Sequence, residues 1–406
     1  MKHSTVVDIG SSKVSCMTAG TAADGALVIR GVETRPYSGY RLGRLPAVAS
    51  LSEALESAMT ALRASTGLHP RSVCVGVPAP FVKTVIGRCD INIGARSGSG
   101  KVTDADLDFL FGSAADFTEP EGYSLMHSTP FDYMLDDRLC SRSPVGQTAQ
   151  KLSASFCHAL VDEQFASAVE AALDPLGIEV GSFVSGAMVS SAFTIPFGSR
   201  LHGAVLIDCG GTHCDVSAIR GNAVLRTESI GIGGSHFTND IALGLRLPVS
   251  IAEGIKRRYV FGLDYGDSTE LIRIPSEGMF EIGHSTVQMI IEARAEELAS
   301  HLCAALDSLE SELPSNPPVY MVGGGIASMR GGTEFLSNAT GRDIRLNMPV
   351  TSRFNTVNHA PVLALAQFML YGGGANEAIA KQAGLVTRGG RILDNIKDFF
   401  TAANKR

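Results

Sequence analysis

Three glycine-rich segments of the chain carry the residue types that suit phosphate chemistry. In the first, at 8–13, Gly10 permits a tight hairpin whose backbone N–H groups can face phosphate oxygens. Two serine hydroxyls add donors, Lys13 can reach the β- and γ-phosphates, and Asp8 can hold Mg²⁺ through water. Alone, the segment could equally be a surface hairpin without a ligand. Its candidate phosphate contacts are Asp8, Gly10, Ser11, Ser12 and Lys13.

The second segment, Asp-Cys-Gly-Gly-Thr-His-Cys-Asp at 208–215, again places glycines directly after an apolar strand that ends in a carboxylate. It is not a Walker A loop, and a strand rather than a helix follows it, so it is not a Rossmann turn. By itself it could be a glycine-rich hairpin, but two such hairpins, each led by Asp, are less expected by chance. Its candidate residues are Asp208, Gly210, Gly211, Thr212, His213 and Asp215, with Asp208 as a second Mg²⁺ contact through water.

The third segment is an apolar strand at 319–322 that runs into Gly323, Gly324 and Gly325. Backbone without side chains lets a flat ring or a ribose approach closely. The pattern is weak alone and strong as the last member of an ordered set of three.

Strands and helices alternate around these segments, which predicts an α/β fold. The two Asp-led hairpins stand about 200 residues apart, so the chain resembles two related halves, with an inserted region at 84–162. The predicted strands are 4–10, 13–19, 26–32, 73–77, 83–93, 123–132, 152–160, 204–209, 216–219, 223–229 and 319–322. The predicted helices are 50–65, 104–115, 163–173, 231–245, 250–258, 286–309 and 361–370, with a turn-rich break at 95–100.

The composition excludes several classes of protein. The 406 residues include 34 Lys+Arg and 41 Asp+Glu, a formal net charge of −7, which argues against nucleic acid as a partner. Eight scattered cysteines form no CxxC pair, so we expect neither a zinc ribbon nor a thioredoxin-type site, and dispersed cysteines in a large acidic chain predict reduced thiols in the cytosol. The chain shows no signal peptide and no apolar run of about 20 residues, so any membrane contact must be at the surface.

The tail at 388–406 predicts such a contact. Its apolar residues follow helical spacing on one stripe, and five cations against two anions make it basic. A basic amphipathic helix after the Gly389-Gly390 hinge suits an anionic bilayer, although it could instead dock on its own body. The predicted membrane contacts are Ile392, Leu393, Ile396, Phe399 and Phe400.

Together, the three segments resemble the phosphate 1, phosphate 2 and adenosine motifs of the actin/Hsp70/sugar-kinase superfamily. Within it, the chain resembles the FtsA family of bacterial cell-division proteins along nearly its full length. The stretches at 233–242 and 252–256 are similar to that family's AGNVVTSDIA and AEAIK stretches, and 185–191 is similar to its connecting helix.

The resemblance implies an actin-like, ribonuclease H-like duplicated ATPase fold with an atypical inserted subdomain and a C-terminal amphipathic helix. It implies ATP and Mg²⁺ as ligands, with Gly234 near the ribose, Glu253 and Lys256 along the nucleoside, and Gly323–Gly325 against the adenine. Without the family, Glu253 and Lys256 would be an ordinary solvated helix pair. The family has a third Gly and then Thr where Thr212 and His213 stand, so we expect at most a weak ATPase and assign no catalytic residue.

The resemblance also implies a subdomain division. Residues 1–83, 163–200 and 361–387 would form subdomain 1A, 84–162 the inserted subdomain 1C, 201–237 and 307–360 subdomain 2A, 238–306 subdomain 2B, and 388–406 the linker and membrane helix.

As partners, the resemblance implies other copies of the chain in filaments, anionic lipid of the inner membrane, the FtsZ C-terminal peptide and later divisome proteins. The protein would lie peripherally on the cytoplasmic face of the inner membrane at the division site. Arg294 suits an acidic peptide, and a surface salt bridge is the equally open alternative. The rival functions are a PilM-like or other actin-fold scaffold and a small-molecule kinase, which would need a catalytic Asp that does not stand out.

Overall fold

The computed structural model describes residues 3–23, 25–42, 44–45, 47–93, 100–114, 117–140, 144–274, 278–347, 357–371 and 386–387. The chain forms two compact units. The first takes residues 1–203, 218–226 and 361–406, and the second takes 204–217 and 227–360. The predicted break at 95–100 falls almost wholly outside the described residues, and the tail at 388–406 falls outside them entirely.

The first half of the chain contains nine strands and five helices among its described residues. The strands are β1 (His3–Ile9), β2 (Lys13–Thr21), β3 (Leu27–Pro36), β4 (Ser72–Val77), β5 (Val82–Asn92), β6 (Tyr123–Leu135), β7 (Arg138–Leu139), β8 (Lys151–Asp162) and β9 (Glu179–Ser185). The helices are α1 (Val48–Thr66), α2 (Asp104–Ala114), α3 (Glu163–Leu173), α4 (Gly186–Thr194) and α5 (Phe197–His202).

The rest of the chain continues the alternation. Its described strands are β10 (Ala204–Cys209), β11 (Cys214–Arg220), β12 (Ala223–Ile230), β13 (Thr269–Ile274), β14 (Gly278–Gly283), β15 (Val319–Val322), β16 (Ile344–Leu346) and β17 (Val386–Thr387). Its described helices are α6 (Gly234–Leu245), α7 (Val249–Arg258), α8 (His284–Ser308), α9 (Gly332–Thr340) and α10 (Ala360–Tyr371).

Two five-stranded sheets have the same topology. One has the order β3-β2-β1-β4-β9 and the other the order β12-β11-β10-β15-β16. In each sheet the strand that comes first in the chain lies in the centre. It pairs in parallel with a strand that comes later in the chain, β1 with β4 and β10 with β15. The sheets therefore confirm the two related α/β halves, and each Asp-led turn directly follows the central strand of its sheet.

A separate sheet of order β17-β6-β8-β5 is built from the region around the predicted insertion. Its strands β5 and β8 pair from Val82 with Val161 to Asn92 with Lys151. A small apolar core under α2 covers one face of the sheet and includes Leu110 and Phe156. At the start of α2, the Thr103 hydroxyl accepts from the Asp106 N–H over 3.3 Å and so caps the helix, and the Asp106 carboxylate accepts in return from the Thr103 N–H over 2.9 Å.

Several elements were not predicted from the sequence. They are β7, β9, the hairpin of β13 and β14, β16, β17, α5 and α9. The hairpin pairs only with itself, and most of its side chains are exposed, so it lacks the apolar pattern of a core strand. No helix among the described residues is long and apolar enough to cross a membrane.

Two of the eight cysteines are not the free thiols expected from the composition. The structure joins Cys209 at the end of β10 and Cys214 at the start of β11 as a disulfide. Both lie in the core of the second sheet, opposite each other across the turn at 210–213. The expectation of reduced thiols rested on the dispersal of the cysteines along the chain, whereas the hairpin brings residues 209 and 214 together.

Candidate functional site

The first Asp-led turn lies in the first unit, where the hairpin of β1 and β2 reverses. The Gly10 N–H donates to the Lys13 carbonyl over 2.9 Å, so the predicted tight turn is formed. Ser11 is buried, and Ser12 is exposed. Burial raises the pKa of Asp8 to about 6, against the opposing charge of Lys13. A bound cation would stabilise the ionised form of this buried carboxylate and so lower its pKa.

Tyr37 and Gly39 brace this turn from the loop after β3. The Tyr37 hydroxyl donates to the Gly10 carbonyl over 2.8 Å, and its N–H donates to the Ser12 carbonyl over 3.2 Å. Gly39 has φ +72°, and a Cβ there would lie 1.9 Å from the Ser11 carbonyl oxygen. The sequence analysis missed both residues, although a glycine between two tyrosines just after a strand is a turn signal that could have marked them.

The second Asp-led turn lies in the second unit and is also closed by its own backbone. The Gly210 N–H donates to the His213 carbonyl over 2.9 Å. Two other glycine-rich segments contact it. The Gly234 N–H, at the start of α6, donates to the Gly210 carbonyl over 3.0 Å, and the Gly325 N–H donates to the Cys209 carbonyl over 2.7 Å. The predicted phosphate, ribose and adenine segments of this unit are therefore one contiguous surface of backbone.

The glycines at this junction leave no room for a side chain. A Cβ on Gly325 would lie 2.7 Å from the Gly210 carbonyl oxygen, and one on Gly233 would lie 2.6 Å from the His213 nitrogen. Gly323 has φ +97°, and its Cβ would meet the Cys209 carbonyl at 2.4 Å. Such close packing of backbone on backbone explains why glycine is required here. The sequence analysis assigned no role to Gly233, although it lies in the stretch at 233–242.

Beneath the turn, His213 and Asp215 form a buried polar pair. The His213 Nε2 lies 3.2 Å from one Asp215 oxygen, and the other oxygen accepts from the Ser229 hydroxyl. Burial alone would lower the pKa of His213, but the bond to Asp215 and the negative charges of Asp215 and Asp208 raise it above its usual value. The other ring nitrogen of His213, Nδ1, lies 3.2 Å from the Thr212 hydroxyl.

Lys256 is buried beside α6, not solvated as an isolated helix pair would be. Its ammonium donates to the Gly234 carbonyl, the Thr238 hydroxyl and Glu253 over 3.1, 2.9 and 2.6 Å. Glu253 also accepts from Thr238 and Arg257. Burial would raise the pKa of Glu253, but these three donors lower it below its usual value. The two predicted nucleoside residues thus belong to the same cluster as Gly234.

The segment predicted to take the adenine is contacted from a second side as well. A Cβ on Gly324 would lie 1.8 Å from the side-chain oxygen of Asn358, which follows in a short 3₁₀ turn. The sequence analysis gave no role to Asn358, and nothing in its local pattern marks it.

The described residues could hold Mg²⁺ only together with other ligands, such as water and the phosphates of a nucleotide. No group of three or more His, Cys, Asp or Glu in the described part of the chain could cage a metal. Mg²⁺ usually keeps several waters and binds one or two carboxylates together with substrate phosphates. Asp8 and Asp208 each lie near the end of the central strand of their own sheet, and each supplies a single carboxylate of the kind that this mode uses.

Arg294 lies on α8 and is engaged by carboxylates of its own unit. Its guanidinium donates to both Asp240 oxygens, over 2.6 and 3.1 Å, and also to Glu297. The hydrogen bond to Asp240 is the main reason that the pKa of Arg294 is raised. The surface salt bridge that was the open alternative is therefore present.

The fold matches solved structures of one class. The chain is similar to the PilM–PilN type IV pilus biogenesis complex, at 15% identity over 89% of this chain and 97% of that chain, with a TM-score of 0.60. It is similar to MreB5 of Spiroplasma citri bound to ADP, at 11% identity over 91% and 96%, with a TM-score of 0.54. These likenesses and the duplicated sheets define an actin-like ATPase fold, as the resemblance implied.

Sequence comparisons then identify the family. The family model "Cell division protein FtsA" matches residues 205–366, and "SHS2 domain inserted in FTSA" matches 83–159, together more than half of the chain. FtsA of Pseudomonas aeruginosa is 26% identical over 84% of this chain and 82% of its own. FtsA of Escherichia coli strain K12 is 22% identical over 81% and 78%. The chain belongs to the FtsA family of actin-like cell-division proteins.

Proposed function

We propose that the chain binds ATP with Mg²⁺, polymerises on the inner face of the cytoplasmic membrane, tethers FtsZ filaments there and recruits later divisome proteins. One observation carries the nucleotide part of the proposal. Two glycine-rich segments of the second unit, at 233–234 and 323–325, contact the Asp208 turn, and the buried Lys256 lies beside them. Surfaces of bare backbone next to a cation and a strand-end carboxylate suit a nucleoside phosphate.

Each part of the nucleotide has proposed contacts. The turns at 8–13 and 208–215 take the phosphates, Gly234 lies near the ribose, and Lys256 with Glu253 lines the nucleoside. Gly323–Gly325 takes the adenine. MreB5 of Spiroplasma citri, which has the same fold, was solved with ADP and with AMPPNP, and this supports ATP as the ligand.

Hydrolysis would be slow in this proposal. A group that orients the attacking water would have to stand near the γ-phosphate, and no residue is assigned to that role. His213 is almost completely buried and bonded to Asp215, so it is not a free base for this purpose. The nucleotide would act mainly by favouring one assembly state over another.

Attachment to the membrane would come from the tail at 388–406, whose amphipathic pattern is known from the sequence alone. One such helix binds a bilayer modestly, and several in a polymer bind far more strongly. To bind Arg294, the C-terminal peptide of FtsZ would have to displace one of the two carboxylates that pair with this arginine. Glu297 would be the one displaced, because 49% of its side chain is accessible, against 25% for Asp240.

Nucleotide binding can be tested with Lys256→Met and the control Lys151→Met, which changes a lysine in exposed ion pairs of the first unit. We expect Lys256→Met to weaken binding of a fluorescent ATP analogue at least tenfold, while Lys151→Met leaves the affinity unchanged. Equal affinities of all three proteins would contradict the assignment of Lys256. Thermal unfolding of both variants separates lost binding from lost folding.

The FtsZ contact can be tested separately with its C-terminal peptide. Arg294→Ala should lower the peptide affinity, and Arg273→Ala, on the exposed face of β13, should not. If the unmodified chain binds ATP and liposomes but not this peptide, the partner belongs to another membrane assembly, as in a PilM-like scaffold. The likeness in fold to the PilM–PilN complex is what keeps that alternative open.

A further inference from the structure

A cavity of about 400 Å³ with both polar and apolar lining residues lies in the first unit, apart from the candidate nucleotide residues. It is formed where β1, β4 and β9 begin, together with the loop that precedes β4. The Asp-led turn follows the other end of β1. Five residues of extended strand separate His3 from Asp8, which is about 17 Å. The cavity is therefore a distinct site within this unit.

Three basic side chains line the cavity. His3, His69 and Arg71 all contribute to its lining, and none of the described residues that line it is an aspartate or a glutamate. On a chain with a formal net charge of −7, a basic concave site without acids is unexpected. A guanidinium with two imidazoles favours an anion, and arginine matches the oxygens of a phosphate in a bidentate manner.

The interior of the cavity offers hydroxyl groups. Ser182 lines the cavity, and its hydroxyl pairs with the thiol of Cys74, which lines the cavity as well. A thiol is a weak hydrogen-bonding partner, so an oxygen acceptor on a ligand would be a stronger partner for this hydroxyl. Thr5 and Thr18, by contrast, bond to each other over 2.8 Å.

A β-bulge produces this arrangement. The pairing of β4 with β9 shifts register between Val73 and Cys74, because Gly181 is an extra residue on β9. A Cβ on Gly181 would lie 2.3 Å from the Ser72 hydroxyl, so any other residue at this position would force the Ser72 side chain to move. Bulges commonly redirect a side chain next to a binding site, and here the residue that follows is Ser182.

From these observations we propose that the cavity binds the phosphate group of a small phosphorylated molecule. Its volume lies within the range of about 300–1,000 Å³ that is usual for ligand pockets. Arg71, His69 and His3 would contact the phosphate, and the hydroxyl of Ser182 would donate to the ligand. The site is independent of nucleotide binding, because it shares no residue with the candidate ATP contacts.

The experiment uses the full chain and inorganic phosphate as the probe, with chloride of equal ionic strength as the reference. Thermal unfolding is followed as phosphate is raised, both without nucleotide and with saturating Mg·AMPPNP. The variants are Arg71→Gln and Ser182→Ala. The control is Arg88→Gln, which removes an exposed arginine of the same unit that does not line the cavity.

We expect phosphate to raise the midpoint of the unmodified chain with or without AMPPNP. Arg71→Gln should weaken the apparent affinity for phosphate by about tenfold or more, and Ser182→Ala by severalfold, as the loss of charged and neutral hydrogen bonds predicts. Arg88→Gln should behave as the unmodified chain.

Two results would overturn the proposal. One is that phosphate stabilises the chain no more than chloride does, and the other is that Arg71→Gln and Arg88→Gln respond alike. A soluble phosphomonoester and a lipid headgroup offer the same chemistry. Glycerol 3-phosphate in solution and vesicles that contain phosphatidic acid distinguish them, and binding of either that depends on Arg71 supports the site.

Discussion

His127 makes the stability of the first unit depend on pH. It lies on β6, 2% exposed, and the Ser185 backbone N–H donates to its Nε2 over 3.4 Å. Its Nδ1 is buried and has no partner among the described residues. Burial lowers the pKa of His127 from 6.5 to about 4, because a proton would place an unpaired charge in the core. We therefore predict that mild acid lowers the stability of the folded protein.

The sign and size follow from the two pKa values. Between pH 6.5 and about 4, the unfolded chain binds a proton at this residue and the folded chain does not, so stability is full above this window and falls as the pH falls. Each unit of difference corresponds to about 1.36 kcal/mol. Lowering the pH from about 7.5 to about 5.0 should therefore remove about 2 kcal/mol through His127 alone.

The assay is urea unfolding at several pH values, with His127→Gln compared with the unmodified chain. A glutamine carbonyl can still accept from Ser185, but it does not titrate in this range. The unmodified chain should lose about 2 kcal/mol more than His127→Gln on acidification. The control is His202→Gln, an exposed histidine at the end of α5, whose substitution should leave the pH dependence unchanged.

The reasoning would be refuted if His127→Gln kept the full pH dependence of the unmodified chain. It would be refuted equally if His202→Gln removed as much of that dependence as His127→Gln. The first result would mean that His127 is not held neutral in the folded state, and the second that the pH dependence is not specific to the buried histidine.

Three further outcomes follow from the packing. Gly325→Ala should weaken ATP binding at least tenfold, because the new Cβ meets backbone at 2.7 Å, while Gly112→Ala, with nothing within 4 Å, should bind normally in the same fluorescence titration. Arg200→Met should lower the free energy of unfolding by about 3 kcal/mol or more, since the fully buried guanidinium donates to three backbone carbonyls; unchanged urea midpoints would contradict this. Asp162→Ala should lower the free energy of unfolding by about 1 kcal/mol, because the Asp162 carboxylate accepts from two N–H groups at the start of α3. Calorimetry can measure this loss.

Local signals explain which parts of the fold were predictable. Helix α3 has the bounds predicted from the sequence, 163–173, because Asp162 caps its start and Pro175 and Gly177 follow its end. Both Asp-led turns were predictable for the same reason, since a strand, an Asp and a glycine lie within a few residues. The hairpin of β13 and β14 was not, because its strands bury few side chains and leave no periodic apolar pattern.

The environment of the candidate site depended on distant residues and could not be predicted. Lys256 resembled a solvated helix residue, yet Gly234 and Thr238 bury its ammonium from another helix. Likewise, Tyr37 contacts Gly10 across 27 positions of sequence. The resemblance to a family supplied roles for residues such as Lys256, whereas their partners come from the tertiary fold.

The central claim is that this protein links FtsZ to the membrane, and co-sedimentation tests it most directly. The purified chain is mixed with anionic liposomes, Mg·ATP and FtsZ, in parallel with a version that ends before Gly389. The account predicts that FtsZ enters the membrane pellet only with the full chain, and that the shortened version leaves both proteins in the supernatant. FtsZ in the pellet without this chain, or with the shortened version as much as with the full one, would contradict the account.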